Sequence, residues 1–301
     1  MRNYIKINST IKSFDKILEI EGDKSLSIRW ALLASQAKGK SKSFNILKSE
    51  DVTNTLNCLK KLGVKVKTFG DSCEIIGKGL NGFKYKKNLI LNAGNSGTLA
   101  RLILGLLIHT KIKIKITGDR SLSKRDFSRI TNPLKKFGAN FPENSKKLPI
   151  IIDKCNIKKP IHYNEEKGSA QVKSSVILAA LNTKGTTSIK AKKSRDHTEL
   201  LLKYLGMPIK VNRQKKFDLI KINGRNKIKP FNYKVPSDIS SGAFFIVLTA
   251  LSKNSKIKLK NININPTRTG ILKILKMMGV KIQITNQKIY KGEKIADLVV
   301  K

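Results

Sequence analysis

Four times along its 301 residues the chain repeats one phrase, and this constrains the fold more than any other feature. Each phrase opens on a turn of small polar residues: Gly22-Asp23-Lys24-Ser25, Gly94-Asn95-Ser96-Gly97, Gly168-Ser169-Ala170-Gln171 and Ser237-Asp238-Ile239-Ser240-Ser241. An apolar, helix-like run follows, at 30–37, 99–108, 175–181 and 243–251. Next come β-branched stretches such as 111–117, 186–190 and 256–260, then an amphipathic run. The phrase closes on Gly63, Gly138, Gly206 or Gly279, spaced 75, 68 and 73 residues apart. A glycine there suits a left-handed helix C-cap that releases the chain into a strand.

The repeat reads as β-α-β-α-β-β, with short strands at 65–68 and 72–76 closing the first copy. Its first helices are apolar nearly all round, so they belong inside, with sheets wrapped outside them. The run 242–251, the longest apolar one, is read as a buried helix because it is far shorter than the ~20 residues of a membrane span. The second helices start at polar caps: Ser49-Glu50-Asp51, Ser194-Arg195-Asp196-His197, and Asn265-Pro266-Thr267 with proline in the first turn. Asp23, Asp51 and Asp238 read as further caps. Pseudo-symmetric turns of this kind gather several helix N-termini at one end of a domain, where their free N–H groups attract an anion.

The formal net charge is +42, yet only ten of the 62 basic residues are arginine, and the lysines are scattered through nearly every segment. Scattered lysine and 6% aromatic content argue against a dedicated nucleic-acid surface, which needs a basic stripe and stacking rings. Seven arginines (29, 101, 120, 125, 129, 195 and 268) sit in or beside the small-residue motifs. Arginine's planar fork matches carboxylate and phosphate, so a small polyanion is the natural occupant of the cleft. Cys58, Cys73 and Cys155 are far apart, with no zinc or disulfide spacing, and fit a reducing cytosol. The start of the chain, 1–7, alternates like a strand and lacks a signal-peptide core. His109 falls at a helix end, His162 in a linker and His197 in a cap near the cleft; none has the partners a metal needs.

Six motifs in order resemble the 5-enolpyruvylshikimate-3-phosphate synthase family of enolpyruvyl transferases. They are Gly22-Asp23-Lys24-Ser25-Leu26-Ser27-Ile28-Arg29, Asn92-Ala93-Gly94-Asn95-Ser96-Gly97-Thr98, Gly118-Asp119-Arg120-Ser121-Leu122-Ser123-Lys124-Arg125, Ser169-Ala170-Gln171-Val172-Lys173-Ser174, Ser194-Arg195-Asp196-His197-Thr198-Glu199 and Asn265-Pro266-Thr267-Arg268-Thr269-Gly270. The likeness is greatest to the bacterial form. It implies an α/β fold of two domains built from βαβαββ units with helices inside, an inside-out α/β barrel. On that basis 22–232 make a complete domain of three units, and 1–21 with 233–301 supply a hinge strand and one unit of a second, incomplete domain.

The resemblance further implies transfer of the enolpyruvyl group of phosphoenolpyruvate to the 5-hydroxyl of shikimate 3-phosphate, without metal or organic cofactor, by a cytoplasmic enzyme that is a monomer when full length. Lys24 would touch both substrates at the reacting hydroxyl. Ser25 and Arg29 would hold the shikimate carboxylate, Ser169, Ser194 and Arg195 the 3-phosphate, and Gln171 would lie against the ring and phosphoenolpyruvate. Asn95, Gly97, Thr98 and Arg125 would line the phosphoenolpyruvate subsite. No specific nucleic-acid or membrane partner is implied.

The family has six units where four are present here, and its remaining units carry an acidic general base, a Lys-Glu segment for proton transfer and further arginines. The chain is therefore expected to bind anions, to catalyse weakly or not at all, and to expose apolar surface on its single fourth unit. Two other readings stand beside this one: a UDP-N-acetylglucosamine enolpyruvyl transferase-like enzyme, whose mobile-loop cysteine is absent from 121–125, and a non-catalytic anion- or nucleic-acid-binding protein.

Overall fold

A computed structural model describes residues 6, 11–142, 145–154 and 158–301. The strand read at 1–7 falls, Lys6 apart, outside the described residues, and so does Cys155. The chain runs from β1 (Asp15–Glu19) into α1 (Lys24–Gln36), β2 (Lys38–Phe44), α2 (Glu50–Lys61), β3 (Lys65–Phe69) and β4 (Ser72–Lys78). The second repeat is β5 (Leu89–Asn92), α3 (Gly97–Leu107), β6 (Ile114–Thr117), the single turn α4 (Arg120–Ser123), α5 (Ser128–Lys136) and β7 (Ile150–Ile152). The third is β8 (His162–Glu165), α6 (Ala170–Asn182), β9 (Thr186–Lys192), α7 (His197–Tyr204), β10 (Ile209–Arg213) and β11 (Phe217–Asn223). The last comprises β12 (Tyr233–Lys234), α8 (Ile239–Leu251), β13 (Lys256–Asn263), α9 (Gly270–Met277), β14 (Ile282–Tyr290) and β15 (Glu293–Val300). His162 thus lies in a strand, not in the linker expected for it.

The strands form four sheets, ordered β12-β2-β4-β3, β5-β6-β7, β8-β9-β11-β10 and β1-β13-β15-β14. Two strands are exchanged: β1 precedes α1 yet pairs in parallel with β13, while β12 precedes α8 yet pairs in parallel with β2. By compactness the chain falls into two bodies, residues 22–236 with 291–293, and 237–290 with 294–301 and the described part of 1–21. The closing glycines all take the left-handed conformation, with φ of 81° at Gly63, 99° at Gly138, 70° at Gly206 and 88° at Gly279. A side chain is strained there, so glycine at each repeat end is set by the backbone itself.

In the larger body the first helices are internal: every residue from Leu26 to Gln36 of α1 is buried, as is every residue from Val172 to Asn182 of α6. α3 packs on α6 so closely that a Cβ on Gly105 would meet Ser175 O at 2.3 Å. The expectation for 242–251 is corrected. α8 is a helix, but only Ile239, Gly242, Ile246 and Thr249 are buried, while Phe244 is 79% and Leu251 81% exposed. Periodicity reports how apolar a helix is, but whether a neighbour covers each face depends on the rest of the fold; the main neighbour of α8 is β13.

Candidate functional site

Three helix starts of the larger body are capped by the small polar residues the repeat supplies. Asp23 Oδ1 accepts the Leu26 N–H at 2.9 Å, Ser96 Oγ that of Leu99 at 3.3 Å and Ser169 Oγ that of Val172 at 3.4 Å. A serine cap uses its oxygen as acceptor and keeps its hydroxyl hydrogen to donate elsewhere. Two expected placements at helix starts are corrected, and a third holds in position only. α2 is capped by Ser49 Oγ, with Asp51 inside the helix. α7 begins at His197 with Asp196, inside the expected stretch 194–197, at its N-cap; the Asp196 carboxylate, however, is turned to Arg213 Nη2 at 2.5 Å and gives the helix no side-chain cap. Pro266 lies ahead of α9 in a turn closed by Thr267 N–H on Asn265 Oδ1, because the helix starts only at Gly270.

The starts of α1, α3, α6 and α7 are tied side to side. Arg29, one turn into α1 and 4% exposed, donates through Nε to Thr198 Oγ1 (2.8 Å), through Nη2 to Ser174 Oγ (3.0 Å) and through Nη1 to Ser25 O (3.1 Å). Burial lowers its pKa to about 10, against the opposing pull of Glu199, Asp23 and Glu293, so it stays cationic at neutral pH. Beneath it Lys173 and Glu199 form an ion pair at 2.7 Å with both side chains closed to water. His197, also fully buried, meets Glu293 Oε1 through Nδ1 at 2.7 Å and so lies in the core.

Between α3 and α6, Arg101 Nη1 donates to Gln171 Oε1 (2.9 Å) and Gln171 Nε2 donates to Thr98 Oγ1 (3.0 Å). Arg101 lies over the Phe127 ring at 5.0 Å, and its pKa is lowered by burial and then by Arg125 and Arg129, with Asp126 opposing. A cavity of about 360 Å³ opens here, lined by Arg101, Arg125, Asp126, Arg129, Ser169, Gln171 and Val172. Its one carboxylate, Asp126, accepts from Ser128 Oγ–H at 2.6 Å and Ser128 N–H at 2.9 Å, which in that order hold its pKa below the usual carboxylate range. Three guanidinium groups facing one engaged carboxylate leave a surplus of positive charge.

The predicted residues thus fall into groups. Ser25 and Arg29 meet at α1; Arg125, Ser169 and Gln171 line the α3–α6 cavity, with Thr98 bonded to Gln171 and Gly97 set against Arg101 and Arg125. Lys24 is exposed, 3.5 Å from Asp51. Asn95 is exposed and gives its amide to Asp119 Oδ2 at 2.5 Å. Arg195 is exposed and close enough to Arg29 to act on its charge, and the Ser194 hydroxyl is buried without a hydrogen-bond partner. Sequence reasoning assigned no role to Ser174, Thr198 or Asp119, although all three stand within the quoted motifs. Their signal was the spacing that puts them one turn into a helix or at its cap. Among the described residues no cluster of His, Cys, Asp and Glu could hold a metal, and no helix is long and apolar enough to cross a membrane.

Residues 9–299 match the family model for EPSP synthase (3-phosphoshikimate 1-carboxyvinyltransferase). A 3-phosphoshikimate 1-carboxyvinyltransferase of Ruthia magnifica is 44% identical over 287 residues, which are 95% of this chain and 65% of that protein. One from Petrotoga mobilis is 43% identical over 94% of this chain and 66% of its own length. The structure of EPSP synthase from Acinetobacter baumannii superposes with a TM-score of 0.87 at 37% identity, covering 96% of this chain and 65% of that one. The chain therefore spans about two thirds of the length of the curated relatives it matches. The repeat, the inward helices and the arginine-lined mouth of α3 and α6 agree with a match that runs almost end to end: the chain belongs to the EPSP synthase family.

Proposed function

We propose that this chain binds shikimate 3-phosphate and phosphoenolpyruvate and serves the transfer of the enolpyruvyl group to the 5-hydroxyl, with release of phosphate. In the addition step the 5-hydroxyl oxygen bonds to C2 of phosphoenolpyruvate, the hydroxyl loses its proton, and a proton adds to the C3 methylene. In the elimination step the bond from C2 to the phosphate oxygen breaks and C3 gives up a proton, leaving the enol ether. The observation that carries the reading is the surplus of guanidinium groups around the α3–α6 cavity, since both substrates are multiply charged anions that repel one another. Cations fixed before binding offset that repulsion and align the reactants, a contribution of about 7–11 kcal/mol at most.

In this reading Lys24 meets both substrates at the reacting hydroxyl, and Ser25 with the remaining N–H groups of Arg29 holds the shikimate carboxylate. Ser169, Ser194 and Arg195 take the 3-phosphate and Gln171 lies against the ring. Asn95, Gly97, Thr98 and Arg125 take phosphoenolpyruvate. The proposal includes a two-domain organisation (22–232, and 1–21 with 233–301) and action as a cytoplasmic monomer in a bacterium, with no specific nucleic-acid or membrane partner. Calorimetric titration of the chain with each substrate, and with RNA at two salt concentrations, tests it. Substrate binding that persists while RNA binding collapses with salt supports the proposal; absence of binding to both substrates refutes it.

A further inference from the structure

The geometry points to Arg101 as a positioning residue: it fixes which way Gln171 turns its amide, and so makes the α3–α6 mouth a surface of hydrogen-bond donors. The identity of the anion rests on the reading above; the placement of the amide does not.

A guanidinium carries only donors, so the atom of Gln171 that faces Arg101 Nη1 at 2.9 Å has to be the carbonyl oxygen. The amide nitrogen is thereby turned the other way, where it donates to Thr98 Oγ1 at 3.0 Å. Thr98 Oγ1, having accepted that bond, keeps its own hydrogen to donate, and one hydrogen of Gln171 Nε2 also stays available. Each bond in the series Arg101, Gln171, Thr98 therefore runs in one direction, and the groups left over at the end are donors. With the amide reversed, N–H would oppose N–H at Arg101 and an acceptor would be presented to the anion.

Arg101 is itself held for this task. Nη1 also reaches Gly97 O at 3.4 Å, and the guanidinium lies over the buried Phe127 ring. A Cβ on residue 97 would stand 2.6 Å from Nη1, so the missing side chain of Gly97 keeps this place open. The bland alternative is that Arg101 only adds positive charge to the cavity. That alternative predicts an effect independent of Gln171, and so the two can be told apart.

The test compares wild type with R101K, R101M, Q171A and R101M/Q171A, following the Gln171 side-chain amide by NMR without ligand and titrating with shikimate 3-phosphate. R101M is expected to weaken binding about tenfold, and R101K, which still donates to Oε1, to recover most of it. On the Q171A background R101M is expected to add less than about threefold, the mark of coupled residues. The Gln171 amide resonances should shift in R101M and hold in R101K. An equal R101M effect on both backgrounds, or Gln171 resonances indifferent to R101M, overturns the inference. Should wild type bind no shikimate 3-phosphate, the functional reading fails, while the Gln171 resonances still decide the positioning.

Discussion

Lys173 Nζ lies 2.7 Å from Glu199 Oε1, with the lysine side chain fully buried and the glutamate 2% exposed. The pair joins the first turn of α6 to the first turn of α7, next in sequence to Ser174 and Thr198, the side-chain partners of Arg29. The distance is that of a strong contact, although neither partner is aligned as in a hydrogen bond. Truncating one partner leaves a charge in the core, which costs about 3–5 kcal/mol, whereas replacing both by apolar groups can be nearly neutral. Arg29 also acts on Glu199, so the loss for K173M is expected at the lower end of that range. Urea unfolding of K173M and K173M/E199L is the measurement. The single variant should lose about 3 kcal/mol and the double variant recover most of it; a K173M protein as stable as wild type would refute the account.

Gly97 is the first residue of α3, and a Cβ there would meet Arg101 Nη1 at 2.6 Å and Arg125 Nη1 at 3.1 Å. Both obstacles are ends of flexible side chains, so G97A is expected to leave stability within about 1 kcal/mol of wild type. The guanidinium groups must shift, and misplacing an anion-binding group by a fraction of an ångström to one ångström weakens function by about 10- to 100-fold. Titration with phosphoenolpyruvate alongside thermal unfolding checks both halves. Unchanged affinity would mean that these two arginines do not hold the anion.

The repeat was legible where local chemistry decides. Each closing position takes a left-handed backbone that glycine adopts with least strain, and Asp23, Ser96 and Ser169 cap their helices through bonds only three residues long. It was illegible where a distant partner decides. Asp196 stands at the N-cap of α7, inside the polar stretch the sequence marks, but Arg213 of β10 claims its carboxylate and the helix gets no side-chain cap from it. Lys173 reads as one lysine among many, because its partner Glu199 comes from another helix. The burial of α8 failed for the same reason: apolar residues on every face state a preference that neighbouring elements must satisfy. The site was readable as a set of motifs, but the lateral ties of Arg29 and Gln171 were not.

Asp119 links the cap of α4 to Asn95 in the turn before α3. Its carboxylate accepts the Leu122 N–H at 2.6 Å and the Asn95 amide at 2.5 Å, and these bonds, the backbone one first, lower its pKa from the ordinary 3.8. A carboxylate whose folded pKa is depressed adds stability above its unfolded pKa and loses it as pH falls through the folded value. The tie between Asn95 and α4 is thus expected to be complete at neutral pH and to weaken only under strong acid. An NMR titration should find Asp119 below 3.8 in wild type and closer to 3.8, without reaching it, in N95A, since the larger cause remains. An unchanged titration in N95A would show that the amide contact contributes nothing.

The apolar side chains that α8 and α9 leave in water set the behaviour of the isolated chain. Phe244, Leu251 and Met277 are each about four-fifths exposed, at 79%, 81% and 79%, and Met278 and Ile274 add to them. Covering a large apolar side chain is worth about 1.5–3 kcal/mol, so several together favour association of copies at modest concentration. The core of this body, built on Ile239, Ile246, Leu259 and Leu298, lies on the other side of α8 and does not need those residues. Replacing Phe244, Leu251 and Met277 by Ser, Lys and Lys is therefore expected to suppress concentration-dependent association in sedimentation velocity while leaving the unfolding midpoint in place. Equal association of the variant and the parent would assign the interface elsewhere; a collapse of the midpoint would show that these side chains are part of the core after all.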